Sequence, residues 1–352
     1  MNRKAFFRIG SFALLSLVSF GIAPSDAAQA KPRAKSSKSA TANAPRRVTA
    51  YSAARSRSRR ARLARARAIA TAREMADTVL PRYKVDASGD LVPDVRAASA
   101  IIYNPETNQV LWEENSQSQR SIASITKVMT ATVFLEDNPD LSQVVTIARS
   151  DVFRASTTHL HRNDKVTTDG LLHLLLIASD NAAARALARV SPQGSEGFVR
   201  RMNEKAAELG LETTHYADPS GLLSENVSSA FDMARLITHA SQDERISSIM
   251  RMPAYTVYGG KRAISIHSTN HLLGLSDVDV RAGKTGFISK AGYCLATVLR
   301  LPQSGQDIAV VVFGARSNAG RFMESRNLFN WVSSKASTLL AAKPPAPLPQ
   351  QQ

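Results

Sequence analysis

The sequence predicts an α+β fold: an antiparallel sheet of about five strands flanked by helices, with an all-helical region inserted between its first and last strands. Two observations support this prediction. Stretches with strand character lie near both ends of the central part of the chain. The apolar stretches between them are long enough for helices. Because the strands and helices are segregated along the chain, we expect one antiparallel sheet whose first and last strands are neighbours.

The predicted elements follow from local pattern. Residues 97–103 and 109–114 form two strands joined through Asn104-Pro105 as a hairpin. The helix at 198–209 ends before Gly210, because glycine readily adopts the backbone conformation that follows a helix. The remaining predicted elements are helices at 125–135, 168–177, 181–190 and 321–340, and strands at 293–299 and 308–313.

The beginning of the chain has the composition of a secretory signal. Residues 1–30 contain Arg3, Lys4 and Arg8, then an apolar stretch at 9–22, then Ala28-Gln29-Ala30. The apolar stretch is shorter than the roughly 20 residues that a membrane-spanning helix needs. We therefore expect the segment to be removed and the protein to be exported to the periplasm or cell envelope, soluble or peripherally attached.

The basic charge of the chain is concentrated in one segment. The net charge is +16, and residues 31–73 carry 14 Lys/Arg and no acid, whereas residues 74–352 hold 28 Lys/Arg and 28 Asp/Glu. Residues 31–76 therefore predict a disordered tether, or a tail that binds an anionic wall or membrane surface. We expect no nucleic-acid partner. The globular domain is predicted at 77–340, and residues 341–352 form a Pro/Gln-rich disordered end.

Three short motifs occur in a characteristic order. They are Ser124-Ile-Thr-Lys127 at a helix start, Ser179-Asp180-Asn181 between two helices, and Lys284-Thr285-Gly286 entering a strand. The serine and lysine of the first motif lie on one helix face. A serine hydroxyl is a weak nucleophile until a base accepts its proton. Lysine can do so when burial and neighbouring positive charge, here the helix N-terminus and Lys284, lower its pKa.

The second and third motifs offer groups for substrate binding. Ser179 can relay a proton to a leaving amine, although serine and aspartate are also common N-cap residues. The third motif can bind a free carboxylate, and its glycine lets a substrate backbone lie along the strand edge. The N–H group after it can complete an oxyanion hole. We predict the catalytic residues Ser124, Lys127, Ser179 and Asn181, and the substrate-binding residues Lys284, Thr285, Gly286 and Phe287.

Other chemistry has little support in the sequence. There is no G-x-S-x-G motif, and His159-Leu-His161 and His267-x-x-x-His271 do not match a H-E-x-x-H zinc site. We therefore predict no metal and no cofactor. Cys294 is the only cysteine, so the chain cannot form an internal disulfide, and its position in a strand indicates a buried core residue.

On these motifs, the chain resembles peptidase family S11, the low-molecular-mass penicillin-binding proteins that are D-alanyl-D-alanine carboxypeptidases and endopeptidases. The resemblance covers roughly residues 95–332 and includes Asp218-Pro-Ser-Gly-Leu222. Residues 217–229 are particularly similar to the endopeptidase branch, the penicillin-binding protein 7-like members. The resemblance implies the serine β-lactamase/transpeptidase fold, an acyl ester on Ser124, peptidoglycan stem peptides or cross-links as substrates, and β-lactams as inhibitors.

The sequence departs from the family at two points. The family often has a second Thr or His after the third motif, where this chain has Phe287-Ile288. Only about 40 residues follow the last predicted strand, so we expect neither the β-rich second domain nor the amphipathic anchor of the carboxypeptidases. The motifs do not separate carboxypeptidase from endopeptidase activity, because both leaving amines carry a free carboxylate on a D-centre.

Two further functions are open alternatives. A class A β-lactamase shares the three motifs but needs a deacylating glutamate, usually in E-x-x-x-N. The glutamates that follow Asn181 do not have that setting: Glu196, Glu204, Glu208, Glu212 and Glu225. A non-catalytic penicillin-binding or wall-tethering protein would be expected to lose the serine or lysine of the first motif, and both are present.

Overall fold

A computed structural model of the protein describes residues 61–66, 69, 81–260 and 262–339. The predicted signal segment, most of the basic tail and the Pro/Gln-rich end lie outside the described residues. Residues 61–66 are helical and exposed. Within the described residues, no helix is both long enough and apolar enough to cross a bilayer.

The strands and helices of residues 81–339 have the following bounds. The strands are β1 (Tyr83–Val85), β2 (Leu91–Pro93), β3 (Ser99–Asn104), β4 (Gln109–Glu114), β5 (Arg120–Ser121), β6 (Val144–Thr146), β7 (Lys165–Thr167), β8 (Val227–Ser228), β9 (Ala254–Gly259), β10 (Arg262–His267), β11 (Asp279–Ile288), β12 (Gly292–Arg300) and β13 (Asp307–Ala315). The helices are α1 (Thr126–Glu136), α2 (Arg149–Val152), α3 (Thr168–Leu176), α4 (Asn181–Val190), α5 (Gly194–Glu208), α6 (Ala230–Ser241), α7 (Glu244–Met250), α8 (Asn318–Ser334) and α9 (Ala336–Leu339).

One five-stranded antiparallel sheet forms the centre of the fold. Its strand order is β11-β12-β13-β3-β4, so β11 is an edge strand. Of the five strands in this sheet, the first and the last in chain order, β3 and β13, are neighbours. Ala309 lies opposite Tyr103 and Phe313 lies opposite Ser99. The predicted α+β class, the five-stranded sheet and the pairing of its first and last strands are therefore confirmed.

Both faces of this sheet are covered, which explains the continuous apolar sequence of β13. Ile308, Val310 and Val312 join a core that contains Leu328 and Val332 of α8. The alternate residues Ala309, Val311 and Phe313 join the core formed by the inserted helices. Successive residues of a strand point to opposite faces, so a strand buried on both faces is apolar at every position.

Helix α1 is the centre of the inserted helical region. Its residues from Thr126 to Leu135 are buried, and α3, α4, α5 and α6 contact it. A helix that is apolar on all sides is typically surrounded by other elements. This arrangement holds the start of α1, which carries Lys127, deep inside the protein.

The predicted boundaries agree with the structure within a few residues. The prediction that the inserted region is all-helical is wrong, because this region also contains the two-stranded sheets β5–β8, β6–β7 and β9–β10. Helix α8 begins at Asn318 rather than 321, because the Ser317 side chain accepts a hydrogen bond from the Gly320 N–H and caps the helix. The sequence analysis assigned no element to residues 230–267, which contain α6, α7 and the β9–β10 hairpin. Gly210 has a φ of +62°, as expected for the residue after a helix, and Cys294 is fully buried.

Candidate active site

The three motifs meet at one cavity. Ser124 lies in a 3₁₀ turn, Ala123–Ile125, that leads directly into α1. Ser179 lies between α3 and α4, and Thr285 lies on the edge strand β11. The cavity measures about 430 Å³, and its lining residues are Ser124, Ser156, Thr157, Ala178, Ser179, Asn181, Leu222, Thr269, Thr285, Gly286, Phe287, Ile288, Ser289 and Arg321.

Lys127 lies directly behind Ser124. Its Nζ is 2.9 Å from Ser124 Oγ. It also donates hydrogen bonds to Asn181 Oδ1 at 2.6 Å and to the Ser220 carbonyl at 2.5 Å. The lysine is fully buried, so these three contacts fix its position. The sequence prediction that the serine and lysine lie within reach of each other is confirmed.

Burial controls the protonation of Lys127. Loss of contact with water disfavours the ammonium form and lowers the pKa of Lys127 to about 7, with a smaller contribution from Arg185. The negative charges of Asp218 and Asp180 act in the opposite direction. The sequence analysis named burial together with the helix N-terminus and Lys284, and of these burial is the largest cause. An amine with a pKa near 7 is neutral in a large fraction of molecules at physiological pH.

The second motif is held by a helix cap. The carboxylate of Asp180 accepts hydrogen bonds from Ala182 N and Ala183 N at the start of α4, and its other oxygen accepts one from His159 N at 2.6 Å. Asp180 is therefore the N-cap residue, as the sequence allows. The cap leaves Ser179 on the preceding turn, where its hydroxyl lines the cavity.

The third motif places its residues on alternate faces of β11. Lys284 Nζ donates to Ser179 Oγ at 2.8 Å, on the face toward the Ser124 turn. Thr285 lies on the opposite face, with its Oγ1 2.6 Å from that of Thr269. This alternation is the ordinary period of a strand. The two donors of the motif, Lys284 and Thr285, therefore lie in different surroundings.

Lys284 is buried next to the cavity and does not line it. Its side chain is only 1 % exposed, and it is absent from the residues that line the cavity. Burial and the neighbouring charges of Lys127 and Arg321 lower its pKa well below the usual value. The direct contact between Lys284 and a substrate carboxylate therefore stays a prediction. Thr285, Thr269 and Arg321 are among the donors that line the cavity, whereas Lys284 donates to Ser179 Oγ.

Close packing of β11 against the Ser124 turn requires a glycine at position 286. A Cβ at this position would lie 2.8 Å from the Ile122 carbonyl oxygen and 3.2 Å from Ser124 N. Only glycine lets β11 approach the Ser124 turn this closely. The sequence analysis explained the glycine by the approach of a substrate backbone, which stays a prediction. The structure adds a close internal contact that positions the strand beside the serine.

The backbone beside the site is strained at three non-glycine residues. Ala123 (φ +49°), Ser179 (φ +58°) and Ser156 (φ +60°) have left-handed conformations. Such conformations are uncommon for side-chain-bearing residues, cost on the order of 1–3 kcal/mol each and cluster at functional sites. Ala123 directly precedes Ser124, so this unusual backbone conformation shapes the turn that carries the serine.

A loop centred on Asp218 completes the wall behind the serine. The Asp218 carboxylate accepts hydrogen bonds from the backbone N–H groups of Ser220, Gly221 and Leu223 and from the Asn226 side chain. The loop turns its Ser220 carbonyl toward Lys127. The sequence analysis cited this segment only as a point of resemblance, and its role in holding the lysine is visible only in three dimensions.

Arg321 is a cavity residue that the sequence analysis missed. It is buried, and its Nη1 donates to the carbonyls of Gly286 at 3.0 Å and Cys294 at 3.1 Å. Burial lowers its pKa to about 10, so it remains a cation at neutral pH. A signal was available: Arg321 shares the core-facing side of α8 with Ser325 and Leu328, where a charge is unusual.

Comparison with known proteins agrees with this geometry. The model of family Peptidase S11, described as D-alanyl-D-alanine carboxypeptidase, matches residues 86–317. The chain is 34 % identical to the D-alanyl-D-alanine endopeptidase of Haemophilus influenzae, over 64 % of this chain and 78 % of that protein. It is 32 % identical to the D-alanyl-D-alanine endopeptidase of Pseudomonas aeruginosa, over 72 % of this chain and 82 % of that protein.

Solved structures show the same fold. The crystal structure of the Streptomyces K15 DD-transpeptidase matches with a TM-score of 0.64 and 28 % identity, covering 68 % of this chain and 97 % of that chain. The fold predicted from the resemblance is therefore confirmed. The family match covers well over half of the chain and contains all three motifs. The chain belongs to peptidase family S11, the D-alanyl-D-alanine carboxypeptidase family.

Proposed function

We propose that the protein is a serine-type D-alanyl-D-alanine peptidase that cleaves peptidoglycan stem peptides and their cross-links through an acyl ester on Ser124. One observation carries this proposal: Lys127 Nζ lies 2.9 Å from Ser124 Oγ at the wall of the cavity. A serine and a buried amine in contact form a nucleophile–base pair. Family membership supplies the substrate class.

The reaction proceeds in two steps. Ser124 Oγ attacks the carbonyl carbon of the D-alanyl residue while its proton passes to neutral Lys127 Nζ. The N–H groups of Ser124 and Phe287 stabilise the oxyanion. The carbon–nitrogen bond then breaks, and the leaving amine takes a proton through Ser179. Water hydrolyses the resulting ester, which releases the acid and restores the serine hydroxyl.

Substrate orientation comes from both walls of the cavity. Asn181 holds the acyl side of the substrate. Its side chain is fixed by two hydrogen bonds, because Nδ2 donates to the Ala155 carbonyl and Oδ1 accepts from Lys127. Thr285, Thr269 and cationic Arg321 bind the free carboxylate on the leaving side, because they line the cavity on the outer face of β11. Lys284 keeps Ser179 in place through the hydrogen bond from its Nζ to Ser179 Oγ.

Two alternatives have less support. A class A β-lactamase needs a carboxylate that activates water, and the residues that line the cavity in the described part of the chain include no Asp or Glu. Glu208, one of the glutamates considered, instead forms an ion pair with Arg201 on α5. A non-catalytic binding protein does not need a buried lysine in contact with a serine, because only proton transfer requires that contact.

We also propose that the protein is exported and that its basic tail binds an anionic surface. The signal-like composition of residues 1–30 supports export. The 14 Lys/Arg of residues 31–73, without a single acid, support attraction to wall polymers or anionic lipid. The charge-balanced remainder of the chain carries the catalytic motifs, so binding and catalysis are assigned to separate segments.

Reaction with benzylpenicillin tests the enzymatic proposal. A β-lactam carries an amide and a carboxylate that match the proposed contacts, so intact-mass spectrometry is expected to show one adduct on the peptide that contains Ser124. The Ser124→Ala variant is the control. Digestion of purified muropeptides then tests the substrate. An unlabelled wild-type protein, or an adduct that survives Ser124→Ala, overturns the proposal.

A further inference from the structure

An exposed aromatic ring lies next to the proposed carboxylate site. Phe287 is 50 % exposed and is the only aromatic side chain lining the cavity among the residues that the structure describes. Its ring stacks on that of Tyr293, with centroids 4.3 Å apart and planes at 28°. Exposing half of a phenyl ring to water is unfavourable. One face of this ring is therefore available to a ligand.

The stacked pair is held rigidly. Phe287 and Tyr293 are direct partners in the β11–β12 ladder, where cross-strand side chains on one face contact each other. Arg321 lies beside them, with its Cζ 5.6 Å from the centre of the Tyr293 ring and its Nη1 bonded to the Gly286 carbonyl. Phe287 therefore presents a fixed apolar surface at the end of the cavity.

The position of the ring selects which part of the substrate it meets. Phe287 and Thr285 are two residues apart on a strand, so their side chains share one face. When Thr285 binds the carboxylate of a leaving amine, the substituent on the adjacent α-carbon can reach that same face. In a terminal D-Ala this substituent is a methyl group. In a cross-link it is the aliphatic chain of a diamino acid, long enough to cover the ring.

We propose that the Phe287–Tyr293 pair is a specificity determinant that favours cross-linked substrates, by packing against the aliphatic chain of the diamino acid on the leaving side. This inference rests on the proposed peptidase function and names its preferred substrate. The ring contributes apolar contact that terminal D-Ala cannot use. Each additional methylene buried at an enzyme site is worth tenfold or more in discrimination. Because the Phe287 ring stays half exposed, we expect it to contribute about tenfold discrimination in total.

The experiment compares two substrates in three forms of the enzyme. The substrates are a monomeric pentapeptide and a dimer cross-linked from D-Ala to the diamino acid, and the measured quantity is the ratio of kcat/KM for dimer over pentapeptide. Phe287→Thr removes the ring and keeps a residue suited to strands. Tyr258→Thr, which removes another exposed ring on β9 outside the cavity, is the matched control. We expect the ratio to fall about tenfold in Phe287→Thr and to stay unchanged in Tyr258→Thr.

The outcomes separate this inference from the proposed function. If wild-type enzyme is acylated by benzylpenicillin on Ser124 and the ratio is the same in Phe287→Thr, the enzyme is a peptidase and the specificity inference is wrong. If kcat/KM falls equally for the dimer and the pentapeptide in Phe287→Thr, Phe287 does not discriminate between them and the inference is also wrong. Should Phe287→Thr fail to fold, Phe287→Ser, which also removes the ring and its apolar contact, decides by the same ratio.

Discussion

Lys127 Nζ and the carbonyl of Ser220 lie 2.5 Å apart, in a part of the protein from which water is excluded. This contact ties the proposed base to the Asp218-centred loop. It gives the lysine an acceptor on the side away from Ser124, so that the amine stays directed at the serine in either protonation state. The properties of the nucleophile therefore depend on a segment about 90 residues further along the chain.

The two lysines are expected to respond differently to arginine. Lys127→Arg is predicted to lower the rate of acylation by benzylpenicillin by about 10²–10⁴-fold, the usual contribution of a general base, because a guanidinium does not deprotonate at workable pH. Lys284→Arg is predicted to lose less, because Lys284 contacts Ser179 rather than Ser124. Equal losses, or the reverse order, would contradict the assignment of Lys127 as the base.

Acylation is expected to depend on pH through Lys127. The active form is the neutral amine, and burial lowers the pKa of Lys127 to about 7. The rate is therefore predicted to rise with pH up to about 7 and to level off above it. Stopped-flow measurement with a chromogenic β-lactam gives this profile. A rate that falls as pH rises from 6 to 8 would show that the protonated lysine is the active form.

The charge of Asp218 is predicted to set the midpoint of that profile. Asp218 opposes the effect of burial and raises the pKa of Lys127, so Asp218→Asn is expected to move the midpoint to lower pH. Asp232→Asn is the matched control, because Asp232 is also a carboxylate that accepts backbone and side-chain hydrogen bonds but does not contribute to the Lys127 shift. Equal midpoints in all three proteins would mean that the loop acts only structurally.

Gly221 is predicted to be indispensable for the Ser124 turn. Its φ is +78°, and a Cβ there would lie 2.0 Å from the Ala123 carbonyl oxygen. Gly305 has a similar φ of +70° with nothing within 4 Å. Gly305→Ala is expected to cost only the left-handed conformation, about 1–2 kcal/mol. Gly221→Ala is expected to cost more and to slow acylation, as urea unfolding and mass spectrometry can measure. Equal losses of stability in Gly221→Ala and Gly305→Ala would argue against the close contact between Gly221 and Ala123.

Removal of the basic tail is predicted to separate surface binding from catalysis. A variant that begins at Asp77 is expected to keep the melting temperature and the acylation rate of the longer protein. It is expected to lose salt-sensitive binding to isolated sacculi or anionic vesicles, because such attraction weakens as the Debye length falls from ~10 Å at 0.1 M salt to ~3 Å at 1 M. If both forms bind alike at low salt, the tail is only a tether.

The sequence by itself determined the class of fold, most of the helices and strands around the motifs, and the pair Ser124–Lys127. These features depend on local pattern: apolar periodicity, turn residues and the spacing of three positions along a helix. Local pattern did not reveal α6, α7 or the β9–β10 hairpin. It also did not reveal the close contact between Gly286 and Ile122, which is more than 160 residues earlier in the chain.

Only the tertiary structure decided which groups face the cavity and which lie behind it. Lys284 and Thr285 are adjacent in sequence, yet one is enclosed beside Ser179 and the other lines the cavity. Arg321, from the last long helix, reaches the same cavity. The pKa of Lys127 likewise depends on how completely surrounding helices exclude water. Burial and long-range contacts arise from packing of distant segments, which no local spacing encodes.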